Sequence, residues 1–198
     1  IPLRLVGSEM CIRDRIIHVA IIVSSYGFFG LSMIIAVISL LFYIITNRAN
    51  FKIHDSTTIR ELTIVSEMSL TIGLYALTIG TFMGGIWANE SWGRYWSWDP
   101  KETWAFVSVM VYAFVLHMRL VPGLRGRWAF HVAALFAICS VFMTYFGVNY
   151  YLTGLHSYAT GDPIPVPIWV YLSLATMFII SVLSLIHISE PTRRRGIS

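Results

Sequence analysis

One stretch of the chain, residues 92–104, has the composition of a binding site for a flat apolar ligand. It reads WGRYWSWDPKETW and holds four of the chain's seven tryptophans, namely Trp92, Trp96, Trp98 and Trp104. An indole ring is large enough to cover a flat molecule and carries a single N–H donor. Tryptophan is also favoured where a helix meets the membrane–water interface, so an aromatic belt is the alternative. Four tryptophans at fixed spacing around Gly93, Asp99 and Pro100 favour the binding site.

Two histidines, one on each side of this stretch in the sequence, have the chemistry of iron ligands. His18 precedes a long apolar segment, and His156 follows the next pair of apolar segments. Haem iron takes axial imidazole ligands, and the porphyrin needs apolar walls. We therefore hypothesise that His18 and His156 ligate haem while the four tryptophans contact its faces. The alternative for each histidine is an interfacial anchor or a helix cap.

The charged residues of the stretch admit two roles. Asp99 and Pro100 followed by Glu102 form the pattern of a helix start, with Asp as N-cap, Pro at N1 and Glu at N3. Asp99 could instead help to place the propionates of a bound haem through Arg94 or Lys101, and between these two roles capping is favoured. The sequence contains nothing that resembles a Ser/His/Asp triad, a phosphate-binding loop or a zinc site.

The composition is that of an integral membrane protein. Of the 198 residues 57% are hydrophobic and only 12% are charged, and the mean hydropathy is +0.70. The net charge of +4 does not indicate a nucleic-acid partner, because most basic residues fall in loops between apolar segments or at the chain ends. Cys11 and Cys139 lie too far apart for a redox pair, and nothing argues for a disulfide.

Five apolar segments are long enough, or nearly so, to cross a bilayer, for which a helix needs about 20 residues. The fold predicted is an all-α, polytopic transmembrane helix bundle of about five helices with a Trp-rich outer loop. Gly73, Gly80, Gly84 and Gly85 lie in the second segment, where small residues allow close helix packing. The segments predicted are 17–46, 62–88, 103–120, 128–148 and one that starts near residue 167.

Basic residues are distributed unevenly between the connections. The connections on one side of the bundle contain or adjoin Arg48, Lys52, Arg60, Arg119, Arg125 and Arg127, and those on the other side contain only Arg94 and Lys101. The excess of basic residues predicts that the first side is cytoplasmic. The Trp-rich loop, His18 and His156 are then expected to share the opposite face, towards the periplasm or its equivalent.

Three blocks of the sequence resemble the haem-handling proteins of cytochrome c maturation. WGRYWSWDPKETW is similar to the Trp-rich (WWD) signature of this family, and the ending DPKETW resembles its CcsA (ResC) branch rather than CcmC or CcmF. His18-Val19-Ala20 and Gly154-Leu155-His156-Ser157-Tyr158 resemble the two histidine motifs that flank the signature, in the same order. The three blocks span residues 18–158.

The resemblance implies a role in cytochrome c biogenesis. It implies that a non-covalent, b-type haem is held by His18 and His156 and presented on the outer membrane face for covalent attachment to the Cys-x-x-Cys-His motif of apocytochrome c. It also implies a membrane partner subunit of the attachment system and contact with membrane lipid, with no nucleic acid. Whether the chain is itself an enzyme stays open, because attachment needs the partner and reduced thiols.

His117 is implied by the resemblance to belong to a second, intramembrane haem site. It lies about 14 residues into the third predicted helix, which is roughly 21 Å along it, and a polar group at that depth is usually functional. The alternative is a histidine near a helix end whose side chain reaches the interface. His54 and His131 are expected to be ordinary residues.

Two other functions fit the same residues. One is a haem transporter without a role in attachment, and the other is a structural membrane subunit whose Trp-rich loop is a docking surface. The docking subunit would bind no haem.

Both ends of the chain look like translated sequencing adapter. LVGSEMCIRDR (5–15) and LSLIHISEPTR (183–193) can be encoded by opposite strands of one DNA sequence. On this interpretation residues 1–15 and 183–198 are artefacts, and 16–182 is the transmembrane cytochrome c assembly domain of a longer protein. Cys11 and His187 then carry no functional weight.

Overall fold

The computed structural model describes residues 2–45, 55–152, 154 and 165–194, with side chains described for 15–45, 57–152, 154 and 165–188. The described residues are helical apart from short connections, and they contain no strand. Five stretches are helical, long and apolar enough to cross a membrane, which confirms the predicted all-α bundle. The helices are α1 (Pro2–Ile45), α2 (Arg60–Trp92), α3 (Pro100–His117), α4 (Arg127–Phe142), α5 (Val148–Tyr151) and α6 (Ile168–Arg194).

Irregular helical turns extend three of these elements. A π-helical turn at Asp55–Ile59 precedes α2, and a 3₁₀ turn at Met118–Leu120 follows α3. A second π-helical turn, Met143–Gly147, joins α4 to α5, so that the two form one membrane span. The span therefore reaches Tyr151, three residues beyond its predicted end.

The helices that flank the Trp-rich stretch extend further into it than the sequence predicts. The second helix was expected to end at residue 88, but α2 continues to Trp92 and stops at Gly93, whose φ of 72° suits a glycine after a helix. The third was expected from residue 103, but α3 starts at Pro100 because Asp99 caps it. Trp92 and Trp104 therefore lie on helices, and the loop itself is only 93–99.

α1 lies at the centre of the bundle and packs most extensively against α2, then against α4 and α6. Glycine makes the close approach to α2 possible. A Cβ added at Gly80 would lie 2.6 Å from Cγ1 of Ile22, and one added at Gly73 would lie 2.7 Å from Cε1 of Phe29. The expectation that these glycines allow close helix packing is confirmed at both positions.

Buried polar side chains join the helices in pairs. The hydroxyls of Ser32 and Ser66 lie 2.7 Å apart between α1 and α2. The Thr63 hydroxyl donates to the Ile59 carbonyl at 2.7 Å, so it accepts from Nε2 of the fully buried His131 at 3.0 Å. Each pair provides hydrogen-bond partners for polar atoms, which lipid chains cannot do. His131 thus has a partner within the bundle.

The domain boundaries predicted at residues 15 and 182 stay predictions. α1 begins at Pro2 and α6 ends at Arg194, so each helix runs through its boundary without a break.

Candidate functional site

Glu102 and Asp99 fix the fold of the Trp-rich loop. Asp99 is buried and its carboxylate accepts from the Lys101 N–H at 3.2 Å, while one Glu102 oxygen accepts from the Asp99 N–H at 3.4 Å. These contacts belong to a complete capping box at the start of α3, as the sequence predicted. The same Glu102 oxygen accepts from the Ser97 N–H at 2.9 Å and the Ser97 hydroxyl at 3.2 Å. Both carboxylates are thus engaged in holding the loop against α3.

Trp98 has a backbone conformation that is unusual for a large side chain. Its φ is +57°, in the left-handed region that bulky residues rarely adopt. The ring is 72% exposed and meets the Trp96 ring edge-on, with the ring centroids 5.8 Å apart. Trp98 therefore lies on the outer side of the loop and supports Trp96 from there.

A cavity of about 540 Å³ lies between the loop, residues 15–26 of α1 and the C-terminal part of α2. Its size falls in the range of small-molecule and cofactor sites, which is about 300–1,000 Å³. Its wall is largely aromatic and aliphatic. We call it the aromatic cavity; its described wall consists of Arg15, His18, Val19, Ile22, Val23, Tyr26, Thr81, Gly84, Gly85, Trp87, Ala88, Trp92, Tyr95, Trp96, Lys101, Glu102, Ala105, Thr144 and Tyr145.

His18 lies in this wall beside a pair of tryptophans. It is only 8% exposed, and its ring centroid is 5.7 Å from that of Trp87. Trp87 in turn meets Trp92 edge-on at 5.0 Å. Gly84 lies beside the imidazole, and a Cβ there would be in ordinary van der Waals contact with Cδ2 of His18 at 3.4 Å. An imidazole is thereby held among indole rings at one edge of the cavity.

Two cations and one carboxylate belong to the same wall. The cations are Lys101 and Arg15, and the carboxylate is Glu102. The half-buried Lys101 donates from Nζ to the Asn149 side-chain oxygen at 3.1 Å, and the Asp99 carboxylate also interacts with its charge. Lys101 and Arg15 thus give the cavity two cationic groups beside apolar walls.

The structure brings together part of the predicted site. His18, Trp92 and Trp96 share the aromatic cavity, whereas the described wall includes neither Trp98 nor Trp104. His156 falls outside the described residues.

His117 lies at the far end of α3. It is exposed, and its Nδ1 lies 2.7 Å from the Ala113 carbonyl oxygen of its own helix. Since α3 rises about 1.5 Å per residue, His117 is about 25 Å along the helix from Pro100.

Gly154 connects the chain just before His156 to the Trp-rich loop. A Cβ added at Gly154 would overlap Oδ1 of Asp99 and would lie 2.8 Å from Cδ of Pro100. Any larger residue would have to displace the helix cap. The absence of a side chain thus allows this segment to approach the first turn of α3.

Sequence reasoning missed several residues of the wall. Trp87 lies just before the Trp-rich stretch and was not predicted as part of the site, yet its ring centroid is 5.7 Å from that of His18. Gly84 and Trp87 are three residues apart on α2, a helical spacing that could have indicated a shared face. Tyr26 and Tyr145, whose rings meet at 6.5 Å, come from α1 and from the π-helical turn after α4, and no local pattern pairs them.

A family model described as cytochrome C assembly protein matches residues 13–156, which include His18, the Trp-rich loop and His156. The chain belongs to the cytochrome c assembly protein family. It is also an integral membrane protein, given its five apolar helices and this family.

Named relatives of this assembly protein agree with the family. Protein NrfI of Wolinella succinogenes is 48% identical over 149 residues, which cover 75% of this chain and 16% of NrfI. The cytochrome c biogenesis protein CcsA of Prochlorococcus marinus strain MIT 9515 is 50% identical over 101 residues, covering 50% of this chain and 31% of CcsA. The CcsA of strain MIT 9215 is 50% identical over 98 residues with the same coverage. The chain thus spans less than a third of these relatives.

Proposed function

We propose that this assembly protein binds haem in the aromatic cavity and presents it on the outer face of the membrane, the periplasm or its equivalent, for attachment to apocytochrome c. The observation that carries the proposal is the position of the His18 imidazole beside Trp87, Trp92 and Trp96 around one cavity. An imidazole suits haem iron, and indole rings suit the porphyrin faces.

Under this proposal the imidazoles of His18 and His156 would hold the haem iron. His156 lies outside the described residues, and its pairing with His18 is supported by the family match, which includes both histidines. Two neutral imidazoles bind a non-covalent, b-type haem and help to set its reduction potential. The proposed wall includes only two of the four tryptophans that the sequence suggested, Trp92 and Trp96, together with Trp87.

The chain's own residues position and shield the haem rather than act as acid or base. Glu102 and Asp99 hold the loop, Trp87 packs against His18, and the aromatic wall excludes water from the porphyrin faces. In the attachment reaction each thiol of the acceptor adds across a vinyl group of the haem substrate. A C–S bond forms and the thiol hydrogen goes to the other vinyl carbon. The partner subunit of the attachment system is proposed to bring the acceptor.

His117 remains a proposal for a second, intramembrane haem site. Its exposed position at the other end of α3 keeps it apart from the aromatic cavity, so exchange of His117 and exchange of His18 should act on different haem populations.

The first test is the visible spectrum of the chain, purified from membranes, oxidised and reduced. Wild type should show a Soret band and sharp reduced bands. His18→Ala should lower bound haem by about tenfold or more, since even outer-shell changes typically cost a metal site about 10- to 100-fold. Added imidazole should restore part of the band by filling the space left. His187→Ala, an exposed histidine on α6, is the matched control and should keep the wild-type spectrum.

Two results would contradict the proposal. One is a folded, membrane-inserted wild type that takes up no haem, as the docking-subunit function predicts. The other is an unchanged spectrum in His18→Ala. Haem attachment to a co-expressed apocytochrome c, read as thioether-linked haem on a denaturing gel, separates assembly from transport, because a transporter would load haem without covalent product.

A further inference from the structure

A second cavity, of about 160 Å³, lies at the opposite end of the bundle. It is formed where α2 begins, α3 ends and α4 begins. Three arginines line it, Arg119, Arg125 and Arg127, together with a single carboxylate, that of Glu67. We call it the basic cavity.

A tight turn brings these arginines around one space. Between Val121 and Leu124 the chain reverses, with the Leu124 N–H donating to the Val121 carbonyl at 3.1 Å. Pro122 and Gly123 occupy the two central positions, and the φ of Gly123 is +90°, which together define a type II turn. Arg119 therefore approaches the cavity from the end of α3 while Arg125 approaches from the other side of the turn.

Little of the charge on Arg119 is compensated within the described wall of the basic cavity. Arg119 Nη1 lies 3.6 Å from Glu67 Oε2, and the arginine side chain is 70% exposed, so this long pair neutralises little. The amino end of α4 adds partial positive charge, because its N-cap Gly126 provides no capping side chain. Guanidinium groups bind phosphate oxygens in pairs, so a phosphate is the anion that three arginines suit best.

The surroundings of the cavity favour a lipid phosphate. α3 and α4 are membrane spans, so the cavity lies at the level of their ends. Leu120 and Val121, beside Arg119, expose 67% and 40% of their surface. A phospholipid places a phosphate at this level with apolar chains next to it. We propose that the basic cavity binds the phosphate group of an anionic phospholipid, with Leu120 and Val121 against its apolar part.

This site is separate from the haem proposal. His117 is exposed on α3 and is not part of the described wall of the basic cavity, and the aromatic cavity lies at the other end of the bundle. Loss of lipid binding should therefore leave the haem proposed for the aromatic cavity unchanged.

The test is native mass spectrometry of the purified chain in detergent, titrated with phosphatidylglycerol in about 0.5 M ammonium acetate, where the Debye length is only about 4 Å. Under this screening Arg125→Gln should weaken binding by about tenfold, since hydrogen bonds to charged groups contribute most among the contacts a site can make. Arg60→Gln is the matched control. It removes an exposed arginine at the same end of the bundle, outside the described wall, and should change binding by less than about twofold.

Three results would overturn the proposal. Equal weakening by both variants would mean that the lipid responds only to surface charge. Equal affinity for phosphatidylcholine, whose phosphate is balanced by a quaternary ammonium group, would mean that the cavity does not select an anionic phospholipid. Displacement of phosphatidylglycerol from the wild type by a low concentration of inorganic phosphate would mean a site for a soluble anion.

Discussion

Lys101 illustrates how a single side chain can give the aromatic cavity a preference for an anionic ligand. Its Nζ donates to Asn149, a neutral partner, and it belongs to the cavity wall. Arg94, the other propionate partner that the sequence suggested, is exposed and lies outside the described wall. A flat apolar ligand with carboxylate groups, such as haem, matches indole rings next to an ammonium group.

We predict that Lys101→Met lowers the affinity for haem by about five- to tenfold, the effect of losing one partly exposed, charge-assisted hydrogen bond. The affinity for haem dimethyl ester, which has no carboxylate, should hardly change. Soret titration of both ligands measures this. Arg94→Met is the control and should leave both affinities as they are. Equal losses for haem and its ester would contradict a role in carboxylate recognition.

Glycines in α2 determine how closely this helix packs against α1, and so affect the position of whole helices. Gly80 of α2 faces Ile22 of α1, and the same approach brings Gly84 to His18. Glycine has no side chain, so two helix backbones can come close at these positions. Such close packing stabilises the contact in a membrane, where lipid provides no hydrophobic driving force between helices. The position of His18 in the cavity wall therefore depends on the α1–α2 interface.

Gly80→Ala is predicted to destabilise the bundle by about 1–3 kcal/mol, the usual cost of overpacking. The added Cβ would lie 2.6 Å from Ile22 Cγ1 and 3.3 Å from its backbone nitrogen. Thermal unfolding in detergent, followed by circular dichroism, gives the change. Gly30→Ala is the matched helical control, since nothing lies within 4 Å of its added Cβ, and it should be neutral or slightly stabilising. Equal midpoints for the two variants would show that α1 and α2 do not pack as described.

At the scale of the whole molecule, two cavities of different character lie at opposite ends of the bundle. The aromatic cavity is bounded by the loop between α2 and α3, and the basic cavity by the turn between α3 and α4. The excess of arginine at the second end favours a cytoplasmic position for it.

This orientation predicts the accessibility of two cysteines introduced into a Cys11→Ser, Cys139→Ser background. Arg94→Cys, in the Trp-rich loop, should react with a membrane-impermeant maleimide in intact cells with a permeable outer membrane. Gly126→Cys, next to the turn before α4, should react only after the inner membrane is opened. The labelled fraction on a mass-shift gel measures both. The reverse pattern would contradict the proposed outer face.

Local sequence was sufficient for much of the fold. Long apolar runs determine the membrane spans. Lipid offers no hydrogen-bond partners to backbone N–H and C=O groups, and an apolar run satisfies them internally by forming a helix. The capping box at Asp99 and Glu102 was predictable because it depends on residues only a few positions apart. The helix ends were predicted less well, and α2 runs on to Trp92 because Gly93 is the residue that terminates it.

The sequence by itself determined the helices, their caps and which residue types could hold a haem. Only the tertiary structure decided which of them share a wall: it brought Trp87 beside His18, placed Trp98 outside the cavity and distinguished Lys101 from Arg94. The physical reason is that such contacts depend on the rotation and separation of helices far apart in sequence. Those are set by packing at positions such as Gly80, and spacing along one helix does not contain that information.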